Sequence, residues 1–221
     1  MAKNTSALER TYRQLQRTYG TKKLDPDFFE CIFTVVLACA MPFDDAKELY
    51  ATIQKDCVDL NEFRVTRIHD IIARYGFEGA ESEFMRVLEI FNGIFEEQGV
   101  IESAFYKDMD PALVKGILSK QKSLSKTERD YILSVCYGMK STPVDRDIVL
   151  IMRRRKVFTG TINVQTVKKK VARAFSQSRR LQLFLLAREH CRECCREKEP
   201  DCDGCPVSRS CSHPNERVKK K

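Results

Sequence analysis

Four cysteines near the C-terminus, Cys195, Cys202, Cys205 and Cys211, follow the spacing C-x6-C-x2-C-x5-C and lie within 17 residues of one another. No domain fits between them, so a single loop has to wrap one compact metal centre. Four thiolates suit zinc or an iron–sulfur cluster, because soft sulfur donors select those centres over hard cations. The uneven spacing favours the cluster. A rival pairing takes Cys191-x2-Cys194 and Cys202-x2-Cys205 as two zinc knuckles, but only seven residues separate them, against roughly 15 to 20 in the usual zinc arrangement. That pairing also strands Cys195 and Cys211.

A chain of 221 residues with 43% hydrophobic content can bury one good core or two small lobes. Its N-terminal residues lack the apolar segment of a signal peptide. The longest apolar run, 28–41, is too short to span a bilayer and contains Glu30 and Thr34. The expectation is a soluble chain in a reducing, cytoplasmic compartment, where clustered thiols bind metal instead of pairing as disulfides. Cys31, Cys39, Cys57 and Cys136 sit in apolar runs and are expected to be buried.

Charge is unevenly distributed. Residues 141–221 carry 20 Lys+Arg against 9 Asp+Glu, net +11, residues 1–28 add +3, and residues 29–140 carry −6. A one-sided basic surface attracts a polyanion and gives salt-dependent binding. A run such as Lys168-Lys169-Lys170 taken alone reads equally well as a solvated helix face.

The apolar pattern is helical almost throughout, with no strand series and no internal repeat. Leu8, Tyr12, Leu15 and Tyr19 form one stripe of a first helix whose opposite face carries Arg10, Arg13 and Arg17. Asp25-Pro26 reads as the cap and first position of a helix reaching Ala40, apolar on nearly every side and therefore central. Helices are expected over 44–55, 67–74, 80–98, 112–118, a segment ending at Tyr137 before Gly138, 144–155, 164–175 and 179–190. Asp110-Pro111 repeats the cap-and-proline start, and Ser125 with Glu128 makes a capping box. The tail 215–221 is expected to be mobile.

An all-helical chain of this size, ending in that cysteine spacing after a basic helix, resembles the endonuclease III family of base-excision-repair DNA glycosylases, helix-hairpin-helix proteins with a 4Fe-4S cluster. Phe28-Phe29-Glu30-Cys31-Ile32-Phe33-Thr34-Val35-Val36-Leu37 is similar to the family's central buried helix. Tyr137-Gly138 followed by Pro143-Val144-Asp145 is similar to the run into its aspartate motif, and His190-Cys191-Arg192 to the His-Gly-Arg that precedes its cluster. The resemblance implies an all-α, two-lobed fold. Residues 29–140 would form a helical barrel lobe, and residues 1–28 with 141–221 a cluster lobe, its loop at 191–211. Double-stranded DNA would bind between the lobes of a monomer. The implied cluster lobe carries +14, in agreement with the charge count.

The family's chemistry flips a nucleotide out of the stack and cleaves its N-glycosidic bond, building positive charge on the sugar. Asp145 matches the aspartate that offsets this charge; read without the resemblance, it caps a helix. Counting back from Asp145 without gaps, the glycine-rich hairpin that grips a phosphate falls on Gln121-Lys122-Ser123-Leu124-Ser125, with both glycines replaced by serine. The Schiff-base lysine of bifunctional members falls at Thr127, beside Lys126. One residue of slip on a helix rotates a side chain by about 100°, so strong lyase activity is not expected and Lys126 reads better as a surface or phosphate contact. The pocket glutamine falls near Ala40. Arg196 and Lys198 are positioned to touch phosphate, interrupted by Glu197, Glu199 and Asp201. The expected activity is hydrolytic removal of a damaged or mismatched base, by a chain acting on the nucleoid or in a nucleus or organelle. A catalytically inactive iron–sulfur protein binding nucleic acid, or a zinc-stabilised helical module, is the alternative.

Overall fold

Hydrophobic periodicity and capping chemistry together account for the helices. The computed structural model describes residues 6–76, 79–158, 160 and 162–213; the tail 215–221 lies outside them. No strand occurs among the described residues, and no helix is long and apolar enough to cross a membrane. The chain divides into two compact units, one formed by 23–141 and the other by 1–22 with 142–221.

The central unit contains α2 (Phe28–Leu37), α3 (Phe43–Asp56), α4 (Leu60–Val65), α5 (Ile68–Tyr75), α6 (Glu81–Gln98), α7 (Ser103–Lys107), α8 (Pro111–Lys120) and α9 (Lys126–Tyr137), numbered after α1 of the other unit. Every residue of α2 except Glu30 is buried, as an apolar helix without a polar face requires. Its phenylalanines hold the unit together. Phe28 stacks on Tyr106 at 4.5 Å, Phe29 meets Phe91 at 5.0 Å, and Phe33 touches Tyr50, Phe63 and Phe84. Phe28, expected with the terminal segments, packs in this unit, which begins at Lys23.

Asp27, not Asp25, caps α2, its carboxylate accepting from the Glu30 amide at 2.8 Å, so Pro26 precedes the cap. The helix stops at Leu37, three residues before Ala40, and Cys39 in the following turn is exposed. Cys136 is half-buried, whereas Cys31 and Cys57 are buried as expected. Asp110 does cap α8 with Pro111 at its first position. The short α4 and α7 are too brief to display helical periodicity.

The terminal unit contains α1 (Ala7–Tyr19), α10 (Arg146–Arg154), α11 (Val164–Ala174), α12 (Gln177–Glu193) and the loop that follows. Leu8, Tyr12 and Leu15 are buried on α1 while Arg10, Arg13 and Arg17 face solvent. The centre of the unit is α12, buried without interruption from Leu181 to Cys191. Three polar side chains within that stretch find partners. Gln182 bonds both the amide and the carbonyl of Lys22, Glu189 pairs with the Lys22 ammonium at 2.7 Å, and Arg188 pairs with Asp145.

Candidate metal centre and catalytic site

The last turn of α12, the end of α10 and the loop 194–211 surround one cavity. Cys195, Cys202, Cys205 and Cys211 all line it, as do His190, Cys194 and His213. Within this set the donor atoms of His190, Cys194 and Cys205 lie within 4.8 Å of one another. His190 Nδ1 is 3.3 Å from Cys194 Sγ and 2.8 Å from the Tyr19 hydroxyl, and Nε2 is 3.9 Å from Cys205 Sγ.

The thiols titrate differently because their neighbours differ. Cys195 is lowered to about 4, chiefly by a hydrogen bond from Cys191, with His190 and Arg154 adding to the effect against the cost of burial. Such a thiol is a thiolate at neutral pH, the form that binds metal. Burial pushes Cys205 up, but the contacts with His190, the Val207 backbone and Cys194 together outweigh it and the thiol lies below its ordinary value. Burial raises Cys211. The imidazole of His190 is disfavoured as a cation by burial, yet its three cysteine neighbours raise it to about 11.

Two arginines at the end of α10 secure the loop. Arg154 donates to the carbonyls of Cys195, Arg196 and Glu197 at 3.0, 2.8 and 3.1 Å, and to Cys195 Sγ at 3.2 Å. Arg155 donates to Val207 O, Ser210 Oγ, Gln14 and Thr11 Oγ1, joining the loop to α1. Neither arginine was singled out from sequence. A signal existed, since Arg155 follows Ile151 by four residues and Met152 by three, placing a cation on the apolar stripe of α10. The two loop cations expected at DNA, Arg196 and Lys198, are exposed.

Asp145 caps α10. Its Oδ1 accepts from the amides of Asp147 and Ile148 at 3.1 and 3.2 Å, and Oδ2 accepts from Arg188 Nε at 3.1 Å. Arg188 has a side chain only 6% exposed and lies 4.3 Å over the Phe184 ring. The capping role read from sequence is therefore real, with a buried counterion that the sequence reading missed. Asp147, one turn-edge away, is raised to about 6 by burial first and by the charge of Asp145 second.

In the hairpin between α8 and α9 the backbone amides bond within the protein. Leu124 is buried and its amide bonds Gln121 O at 3.2 Å. The Ser125 amide donates to Glu128 Oε2 at 2.8 Å while Ser125 Oγ accepts from the Glu128 amide, completing the expected capping box. Glu128, 1% exposed, also pairs with Arg86 at 2.8 Å, and Arg86 holds the Ser123 carbonyl. Ser123 Oγ bonds Glu89. The amides of Leu124 and Ser125 are thus both committed within the protein. Lys126 is exposed at the first position of α9, whereas Schiff-base chemistry uses a lysine in a desolvating pocket.

No family model matches the chain, and no curated protein matches it. Solved structures do. A non-covalent endonuclease III–DNA complex superposes with a TM-score of 0.61 at 11% identity, covering 96% of this chain and 97% of that one. A trapped endonuclease III–DNA covalent intermediate gives 0.59 at 12%, covering 96% and 97%. A thermostable thymine-DNA glycosylase gives 0.58 at 12%, covering 95% and 97%. The chain shares the all-helical fold of these DNA glycosylases over nearly its whole length.

Proposed function

We propose that this chain is a monomeric DNA N-glycosylase, acting on double-stranded DNA where the nucleoid or nucleus presents it, and hydrolysing the bond between a damaged or mismatched base and its sugar. The observation that carries the reading is the carboxylate of Asp145, fixed at the start of α10 by two amides and Arg188 within a fold shared with DNA glycosylases. Hydrolysis of an N-glycosidic bond passes through an oxocarbenium-like sugar. A carboxylate of fixed orientation stabilises that charge without having to reorganise as it forms. Asp147 adds a second carboxylate that takes up a proton near pH 6.

The cavity suits a 4Fe-4S cluster held by Cys195, Cys202, Cys205 and Cys211, since an all-thiolate set is what such clusters take. When bound, the cluster would cross-link a loop too short to have a core of its own. Arg154 and Arg155 fix the loop to α10, and its exposed Arg196 and Lys198 would contact phosphate, adding salt dependence to binding. The hairpin would contribute through Ser123 and Lys126 at its surface, not through its amides.

Base release from a panel of lesion and mismatch duplexes, with alkali to reveal abasic sites, tests the reading. Alkali-dependent breaks that vanish in Asp145→Asn, in a variant whose helicity is unchanged, support it, because asparagine keeps an oxygen for both capping amides while removing the charge and the acceptor of Arg188 Nε. Breaks without alkali would return Lys126 to a catalytic role. The Asp145–Arg188 pair and the occupied hairpin amides favour a second reading, a catalytically inactive nucleic-acid-binding protein. Duplex binding by the metal-loaded protein with no base released would establish that reading in place of the first.

A further inference from the structure

Five thiols, not four, line the cavity at the end of α12: Cys194 stands with Cys195, Cys202, Cys205 and Cys211. A four-iron cluster takes four thiolates, and so does a closed zinc site, which leaves one donor over. Two neighbouring residues of a regular helix point about 100° apart, so they do not normally serve one cavity. Here the helix ends between them. The amides of Cys194 and Cys195 both bond His190 O, at 3.1 and 2.8 Å, and Cys194 as the cap leaves helical geometry with φ −138° and ψ −32°. Cys194 is 5% exposed, and its sulfur belongs with His190 and Cys205 to the one compact donor group among the described residues. Cys195 is held by Arg154 at its sulfur and its carbonyl.

We propose that Cys194 is a reserve ligand of the metal centre, able to take the coordination position of Cys195. The exchange breaks one metal–sulfur bond and makes another. Cys194 releases its thiol proton and the departing Cys195 thiolate accepts one, so neither electrons nor charge are left over. Cys205 has no thiol beside it in sequence and stays in place in this exchange. The inference rests on the proposed metal centre and is independent of glycosylase activity.

Iron, sulfide and zinc per chain, together with visible absorption, are measured in the full-length protein and in Cys194→Ala, Cys195→Ala, the double variant and Cys205→Ala. Retention of most of the metal in both single variants at 194 and 195, with its loss in the double variant and in Cys205→Ala, is the expected result. Loss in Cys195→Ala as complete as in Cys205→Ala overturns the inference. Cys195→Ser, read against Cys194→Ala/Cys195→Ser, repeats the comparison with a side chain of nearly native size should the alanine variant fail to fold. Zinc in place of iron in the unmutated protein would refute the cluster while leaving the same variants, read by zinc content, to decide the role of Cys194. An unmutated protein that takes up neither metal refutes both.

Discussion

Asp145 and Arg188 show how much one pair of side chains decides. Removing one member of a well-buried ion pair leaves the other without compensation, at a cost of about 3–5 kcal/mol. Asp145 retains some solvent access, so Arg188→Leu is expected to destabilise the terminal unit by about 2–3 kcal/mol, read from urea denaturation. Asp147 predicts a pH effect. Its folded pKa is raised from 3.8 to about 6, so the protonated form favours folding. That contribution is fully present below about pH 4 and is lost as the pH rises through 6. Asp147→Asn should flatten the dependence of stability on pH across this window. After discounting for solvent screening, the variant should be about 1–2 kcal/mol more stable at pH 7; an unchanged pH profile would refute the assignment.

At the scale of elements, the α8–α9 hairpin and the loop after α12 are both held by charged groups hydrogen-bonded to backbone. Glu128 satisfies the Ser125 amide and Arg86 together. Glu128→Ala therefore removes the acceptor of the Ser125 amide and one of the two acceptors of Arg86, and is expected to cost about 1–3 kcal/mol, visible as a lower denaturation midpoint. Ser125→Ala removes only the cap and should cost about 1 kcal/mol. Arg154 makes four donations to three consecutive loop residues. Arg154→Met should speed loss of visible absorption in the presence of a chelator while leaving helicity nearly intact; an unaltered rate would show that the loop does not depend on this residue. The capping box was legible because its two residues are close in sequence. Arg86 was not, because it lies 42 residues from Glu128.

Over the whole molecule, the two units differ in what stabilises them. Residues 23–141 enclose an aromatic core around α2, which needs no metal. In the other unit, the contacts of the loop 194–211 converge on thiols and two arginines. Metal removal is accordingly expected to abolish amide-exchange protection in α10 and the end of α12 while α2 keeps its protection. Equal loss in both would mean that the chain unfolds as one cooperative body.

Sequence by itself determined the features that depend on nearby residues or on composition. These include the helical period of α1 and α6, the all-round burial of α2, the proline start of α8, the capping box of α9 and the cysteine spacing. Each follows from local backbone geometry, which a short window of residues contains. Tertiary structure decided what requires distant partners. It assigned Arg188 to Asp145 across 43 residues, committed the hairpin amides to internal acceptors, clamped the cysteine loop with Arg154 and Arg155, and brought Cys194 to the same cavity as the four spaced cysteines. Buried charges have to be matched by whatever the fold brings within a few ångströms, and no sequence period specifies that distance.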